Sequence, residues 1–103
     1  MIDINDLRKS CAENKVIITQ HAIKRLLERG ITMSDIIEVI NNGEIIRQYE
    51  DDKPFPSCLV LGKGNEGIAI HTVVSHDGTV MYVITGYYPD PNIWYGNFKV
   101  KKS

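Results

Sequence analysis

The chain has 103 residues, 43% of them hydrophobic and 24% charged, with a formal net charge of −1 at pH 7. That length and mixture predict one globular domain, residues 1–103, with one modest core and no second domain. The charge excludes a strongly basic nucleic-acid binder, no apolar run reaches the roughly 20 residues of a membrane helix, and the opening MIDINDLRKS lacks the regions of a signal peptide. The expected setting is therefore soluble and cytoplasmic, with no membrane partner.

In chain order, Ile4, Leu7, Cys11 and Ala12 recur among charges at helical spacing, which predicts a short amphipathic helix over about 3–14. The β-branched run KVIIT predicts a brief extended piece. Thr19 is suited to N-cap a second helix and Gly30 to end it, while Thr32 and Asp35 are spaced as a capping box for a third, which Gly43 closes. The core face of that third helix is predicted as Ile36, Ile37, Val39 and Ile40. From Glu44 onward the pattern changes to four strands, Glu44–Glu50, Ser57–Lys63, Gly67–His76 and Thr79–Tyr87, separated by DDKPFP, KGNEG and Asp77-Gly78. The predicted architecture is α+β: N-terminal helices (about 3–42) packed on a four-stranded antiparallel sheet (about 44–88), then an irregular tail (about 89–103) tied to the body by Trp94 and Phe98. Cys11 and Cys58 show no C-x-x-C spacing and are expected as buried, reduced thiols.

Charge is unevenly spread. Residues 1–30 hold six Lys/Arg against four acids, residues 31–52 hold six acids against Arg47, and residues 53–103 hold five Lys against three acids. An acidic middle thus separates two mildly basic ends.

The stretch ITQHAIKRLLERGIT carries His21, Arg25 and Arg29 in four-residue steps. With His21 at 0° and about 100° per residue, Arg25 falls near 40° and Arg29 near 80°, while Ile23, Leu26 and Leu27 cluster between about 140° and 240°. The polar stripe is thus expected opposite the core stripe, either as a solvated face or as a working surface. Chemistry suits it: imidazole exchanges protons near neutrality, and guanidinium forks bind phosphate oxygens in pairs.

The motifs H-A-x-x-R-x-x-x-R-G-I (His21 to Ile31), G-E-I-I-x-x-Y (Gly43 to Tyr49), I-H-T-V-V (Ile70 to Val74) and V-I-T-G-Y-Y-P-D (Val83 to Asp90) occur in that order. Together they resemble the domain-of-unknown-function 4258 family over about residues 16–94. That family is similar to the RelE-like and BrnT-like ribonuclease toxins of bacterial toxin–antitoxin pairs. The resemblance implies a RelE-like fold and a metal-independent RNA endonuclease, cofactor-free and held in check by a partner antitoxin. It places the recurrent polar positions at His21, Arg25, Arg29, His71, Thr85 and Tyr87.

RNA cleavage by side chains needs a base for the 2′-hydroxyl, cations for the pentacovalent phosphate and an acid for the leaving oxygen. His71 or His21 fits the base or acid, Arg25 and Arg29 the phosphate clamps, and Tyr87 a stacking or proton-donating group. Thr85, Lys63 and Tyr88 are candidates for contacting substrate, and Tyr87, Tyr88 and Trp94 for stacking on bases. The alternative is a non-catalytic module on the same fold that binds protein or nucleic acid. Strand geometry sharpens the choice. If Asp77-Gly78 is a two-residue hairpin turn, His76 pairs with Thr79, His71 lies opposite Ile84, and His71 and Tyr87 point to opposite faces of the sheet. A bulge near Gly86, a different turn or a position at the sheet's edge would be needed to unite them. His76, beside the turn, is expected to be exposed. His21, His71, His76 and Cys58 lack compact ligand spacing, so no metal is expected.

Overall fold

Local signals start and stop each helix in the computed structural model, which describes residues 1–102. The Asp3 carboxylate accepts from the Asn5 N–H at 2.8 Å and opens α1 (Ile4–Ala12), which is shorter than the predicted 3–14. Thr19 Oγ1 accepts from the Ala22 N–H at 3.0 Å to open α2 (Gln20–Arg29), and Gly30 ends it at φ 68°, a left-handed conformation that favours glycine. Thr32 and Asp35 bond reciprocally as the capping box of α3 (Met33–Asn42).

Gly43 follows α3 for a different reason from Gly30. Its backbone is extended, at φ −94° and ψ −171°, but a Cβ there would strike the carbonyls of Val39 and Leu61. Gly62 faces the same helix, with a built Cβ falling 2.6 Å from the Val39 oxygen. The two glycines let α3 sit on the sheet at backbone distance. Gly43→Ala is therefore expected to lower stability by about 1–3 kcal/mol, the cost of overpacking against atoms that cannot rotate away. A lower urea midpoint with an unchanged m-value checks this.

The strands are β1 (Val16–Ile18), β2 (Glu44–Tyr49), β3 (Ser57–Lys63), β4 (Ala69–His76) and β5 (Met81–Tyr87), in the order β1-β5-β4-β3-β2. The four antiparallel strands of the predicted meander are present, but the sheet is five-stranded and mixed. Val16 to Ile18 pair in parallel with Met81 to Val83, because this β-branched segment, led back from α1, meets the unpaired edge of β5 and satisfies its backbone groups. Since β1 stops at Ile18, the edge of β5 beyond Val83 has no strand beside it.

The helices bury one face of the sheet. Leu7, Ala22, Leu26, Ile36, Val39 and Ile40 pack with Cys58, Val60, Ile70, Val74, Met81 and Val83. Both cysteines are free and buried, and burial pushes the Cys58 thiol up to about 12, so it is inert. Two residues of the predicted core stripe of α2 lie outside it: Ile23 is 44% exposed and Leu27 76%. Ile37 is half-buried at the margin of the core.

The connection from β4 to β5 departs most from expectation. Asp77-Gly78 is part of a four-residue loop, and His76 pairs with Met81 rather than Thr79. Asp77 Oδ1 accepts the N–H groups of Thr79 and Val80 at 2.9 and 2.7 Å, which widens the turn. The register then shifts at Ile84: Val74 faces Val83 and Val73 faces Thr85. This bulge brings His71 opposite Tyr87, so the two share a face, contrary to the alternation expected from a regular hairpin.

That shared face is the one turned away from the helices. The tail after β5 folds over it, with Trp94 6% exposed and bridged to Lys101.

Candidate functional site

On the outer face, cross-strand neighbours form two adjacent rows, Leu61, His71 and Tyr87 in one and Arg47, Leu59, Val73 and Thr85 in the next. His71 is fully buried, and both ring nitrogens are engaged. Nε2 lies 2.8 Å from the Phe98 carbonyl and Nδ1 lies 3.2 Å from the Tyr87 hydroxyl. A carbonyl only accepts, so Nε2 carries the ring proton and donates it to Phe98, leaving the Nδ1 lone pair to accept from the Tyr87 O–H. Trp94 stands edge-on to His71 with ring centres 4.5 Å apart at 87°, and Tyr87 at 5.3 Å and 74°. The imidazole is thus fixed on every side and its tautomer set by the tail.

Electrostatics follow from this enclosure. Burial holds His71 below the ordinary histidine range of 6.5, assisted by the Arg47 charge and opposed by the Phe98 hydrogen bond. Burial also raises the Tyr87 phenol, with Tyr49 in the same sense and Arg29 and Arg47 against it. At neutral pH the pair is an uncharged base behind a protonated phenol, flanked by two cations.

The two arginines reach the pair from different sides. Arg29, in the last turn of α2, donates to the Gly86 carbonyl at 2.8 Å and to Thr85 Oγ1 at 3.3 Å. It can do so because β1 leaves that edge of β5 open. The expectation that the whole helical stripe points away from the sheet is corrected at Arg29, since the last turn of α2 runs beside the β5 edge. Arg47, on β2, lies with its guanidinium carbon 5.5 Å from the centre of the Trp94 ring.

The remaining predicted residues are dispersed. His21 and Arg25 are exposed on α2 and touch each other, with Arg25 Nε 3.5 Å from His21 Nε2 and Arg25 in an exposed ion pair with Glu28 at 3.6 Å. Neither hydrogen-bonds to His71 or Tyr87. Thr85 joins the site through Arg29, and its carbonyl accepts from Thr72 Oγ1 at 2.8 Å. Lys63 is exposed at the end of β3, its backbone N–H and carbonyl both bonded to the Asn42 side chain. Tyr88 is 43% exposed and lines a small cleft with Gly30, Asp35 and Ile70, on the helix side of the sheet. Sequence reasoning missed Arg47, Tyr49 and the Phe98 carbonyl. Arg47 and Tyr49 are two residues apart on one strand, so alternation alone puts them on one face, whereas a main-chain carbonyl leaves no signal in the sequence.

His76 is 9% exposed, contrary to the exposure expected beside a turn. Its Nε2 lies 2.9 Å from Ser10 Oγ and its Nδ1 accepts the Gly78 N–H at 3.2 Å. Nε2 is therefore the protonated nitrogen and donates to Ser10, whose own hydroxyl donates to the Thr79 carbonyl at 2.7 Å. The proton order is the reverse of an activated serine, so this pair fastens α1 to the loop before β5. Among the described residues no group of three or more His, Cys, Asp or Glu side chains gathers at a spacing that would hold a metal ion, and no helix is long and apolar enough to cross a membrane.

These features define a class: an α+β domain with helices on one face of a mixed sheet and a tail-covered histidine–tyrosine pair, flanked by arginines, on the other. Residues 18–88 match the family described as domain of unknown function (DUF4258), and the chain belongs to that family. No curated protein and no solved structure matches the chain.

Proposed function

We propose that this domain is a small RNA endonuclease that works through its own side chains, with His71 and Tyr87 as its proton-transfer pair and an antitoxin-type protein as its natural restraint. The observation that carries the reading is the 3.2 Å contact between His71 Nδ1 and the Tyr87 hydroxyl, beside Arg29 and Arg47. In the reaction, the phenol oxygen of Tyr87 takes the proton of a substrate 2′-hydroxyl as its own proton passes to His71 Nδ1. The freed 2′-oxygen bonds to phosphorus, the bond to the 5′-oxygen breaks, and that oxygen takes a proton from solvent. Arg29 and Arg47 hold the equatorial oxygens as negative charge gathers on them. The imidazolium left behind keeps its bond from Nε2–H to the Phe98 carbonyl, which supports the added charge.

His21 and Arg25 serve this reading as a track. They continue from Arg29 along α2 at about 5.4 Å per helical turn, a spacing suited to successive phosphates of a single strand. Thr85 holds Arg29 in place.

A second reading, a non-catalytic module that binds RNA or protein, is favoured by one observation, that His71 is fully buried with both nitrogens occupied. Induced expression of the wild type, Tyr87→Phe and Arg29→Ala in bacteria separates the two. The nuclease reading expects growth arrest and fragmented RNA with the wild type alone. Intact RNA with well-expressed wild type would leave the binding module.

A further inference from the structure

Beyond His71, the outer face ends in a groove of about 670 Å³ between the sheet and the tail. Its floor is Leu61 and Ala69, and the tail supplies Gly96, Asn97 and Phe98 as the opposite wall. Leu61 is the cross-strand partner of His71, so the groove begins at the next side chain of the site. Phe98 belongs to both: its carbonyl accepts the hydrogen bond from His71 Nε2–H, and its residue lines the groove.

The wall is preformed. Phe98 holds a left-handed backbone at φ 59°, a conformation that a non-glycine residue keeps only where its surroundings impose it. The surroundings here are the bonds from the Phe98 N–H to the Tyr95 carbonyl at 2.7 Å and from the Tyr95 N–H to the Val100 carbonyl at 3.0 Å, with the Lys99–Glu44 ion pair at 2.6 Å. The chemistry of the lining is equally specific. Leu61, Ala69 and Phe98 are only half-buried, leaving apolar surface facing the groove. Asn42 spends both polar ends of its side chain on the Lys63 backbone, while the exposed Lys63 ammonium makes no ion pair among the described residues. A slot with an apolar floor, one aromatic residue, one cation at its rim and a single asparagine amide, Asn97, whose oxygen already accepts from the Lys99 N–H, suits a flat ring attached to an anion.

We propose that this groove is a subsite for one nucleobase of single-stranded RNA, the base of a nucleotide next to the phosphate held at Tyr87, with Lys63 on the adjoining phosphate. This rests on the RNA reading above and deepens it.

The probe is a fully 2′-O-methylated adenosine trinucleotide, which cannot be cut through its 2′-oxygen, and its three single-abasic versions, titrated into the wild type, Phe98→Ala, Ala69→Leu and Tyr87→Phe. One abasic position is expected to weaken wild-type binding about tenfold, in line with the loss of one stacked base. Phe98→Ala and Ala69→Leu, the second filling the floor from β4 with the tail sequence unchanged, should each erase that difference, and Tyr87→Phe should keep it. Equal binding of all four probes by the wild type, or a difference that survives both groove variants, overturns the subsite. Cleavage of the unmethylated trinucleotide is read in parallel. Cleavage without an abasic effect rejects the groove alone, and an abasic effect without cleavage rejects the nuclease reading alone.

Discussion

Tyr87→Phe is expected to lower the rate of RNA cleavage by about 10²–10⁴-fold, the range for removing a positioned proton-transfer group, and to lower stability by about 1–3 kcal/mol because the buried Nδ1 loses its donor. The phenyl ring keeps its edge contact with His71, so packing survives and only the hydroxyl, 3.2 Å from Nδ1, is lost. His71→Gln should cost a similar factor, and the double variant little more, because the two groups act as one unit. Single-turnover rates on a short RNA measure all three. The pH profile follows from the same environment. Since burial holds His71 below 6.5, the rate should stay level through neutrality and fall on the acid side below 6.5, where the imidazole is protonated and can no longer take the Tyr87 proton.

Trp94→Ala is expected to cost roughly 3–5 kcal/mol, the usual loss for truncating a large buried aromatic. Trp94 is 6% exposed and packs perpendicular to His71 with ring centres 4.5 Å apart, so its removal also admits water to the imidazole. The His71 pKa should then rise toward its ordinary value, which a titration of the ring protons by NMR would record. The stability consequence has a definite sign. In the wild type the folded pKa is depressed, so the unfolded chain binds more protons between that pKa and 6.5. The contribution of neutral His71 is fully present above 6.5 and is lost as pH falls through the folded value. In Trp94→Ala this acid sensitivity should shrink. Chemical denaturation across that window, wild type against variant, measures it.

Much of this fold is written locally. Thr19, Gly30, Thr32 and Asp35 set the helix ends through contacts within a few residues, and each acts as its position predicts. Four of the five strands are legible for the same reason, from alternation and turn residues. What lies beyond local reading is pairing. Three residues, Val16 to Ile18, give no hint that they join β5 in parallel, because the signal for a strand that short is its partner. The bulge at Ile84 is equally hidden: Asp77 widens the turn and one residue is then left unpaired, and only that sum turns His71 toward Tyr87. The candidate site divides along the same line. His71, Tyr87, Thr85 and Arg29 are visible as residue types, but their meeting depends on register and on the short β1. Arg47 and the Phe98 carbonyl enter from a strand three places along the sheet order and from the tail. Ile23 and Leu27 show the converse, since helical periodicity places them on the core stripe while α2, lying over the sheet margin, leaves both exposed.

In the proposed mechanism Tyr87, backed by His71, draws the proton from a 2′-hydroxyl. The most direct measurement of this step is end-group analysis of an RNA oligonucleotide cut by the purified wild type, beside the same oligonucleotide with a single 2′-O-methyl group at the cleaved position. Attack by the 2′-oxygen should leave 2′,3′-cyclic phosphate ends on the first and no cut at the blocked nucleotide in the second. Cleavage that continues at the 2′-O-methyl position, or a 3′-hydroxyl on the upstream fragment at the cut, would contradict it.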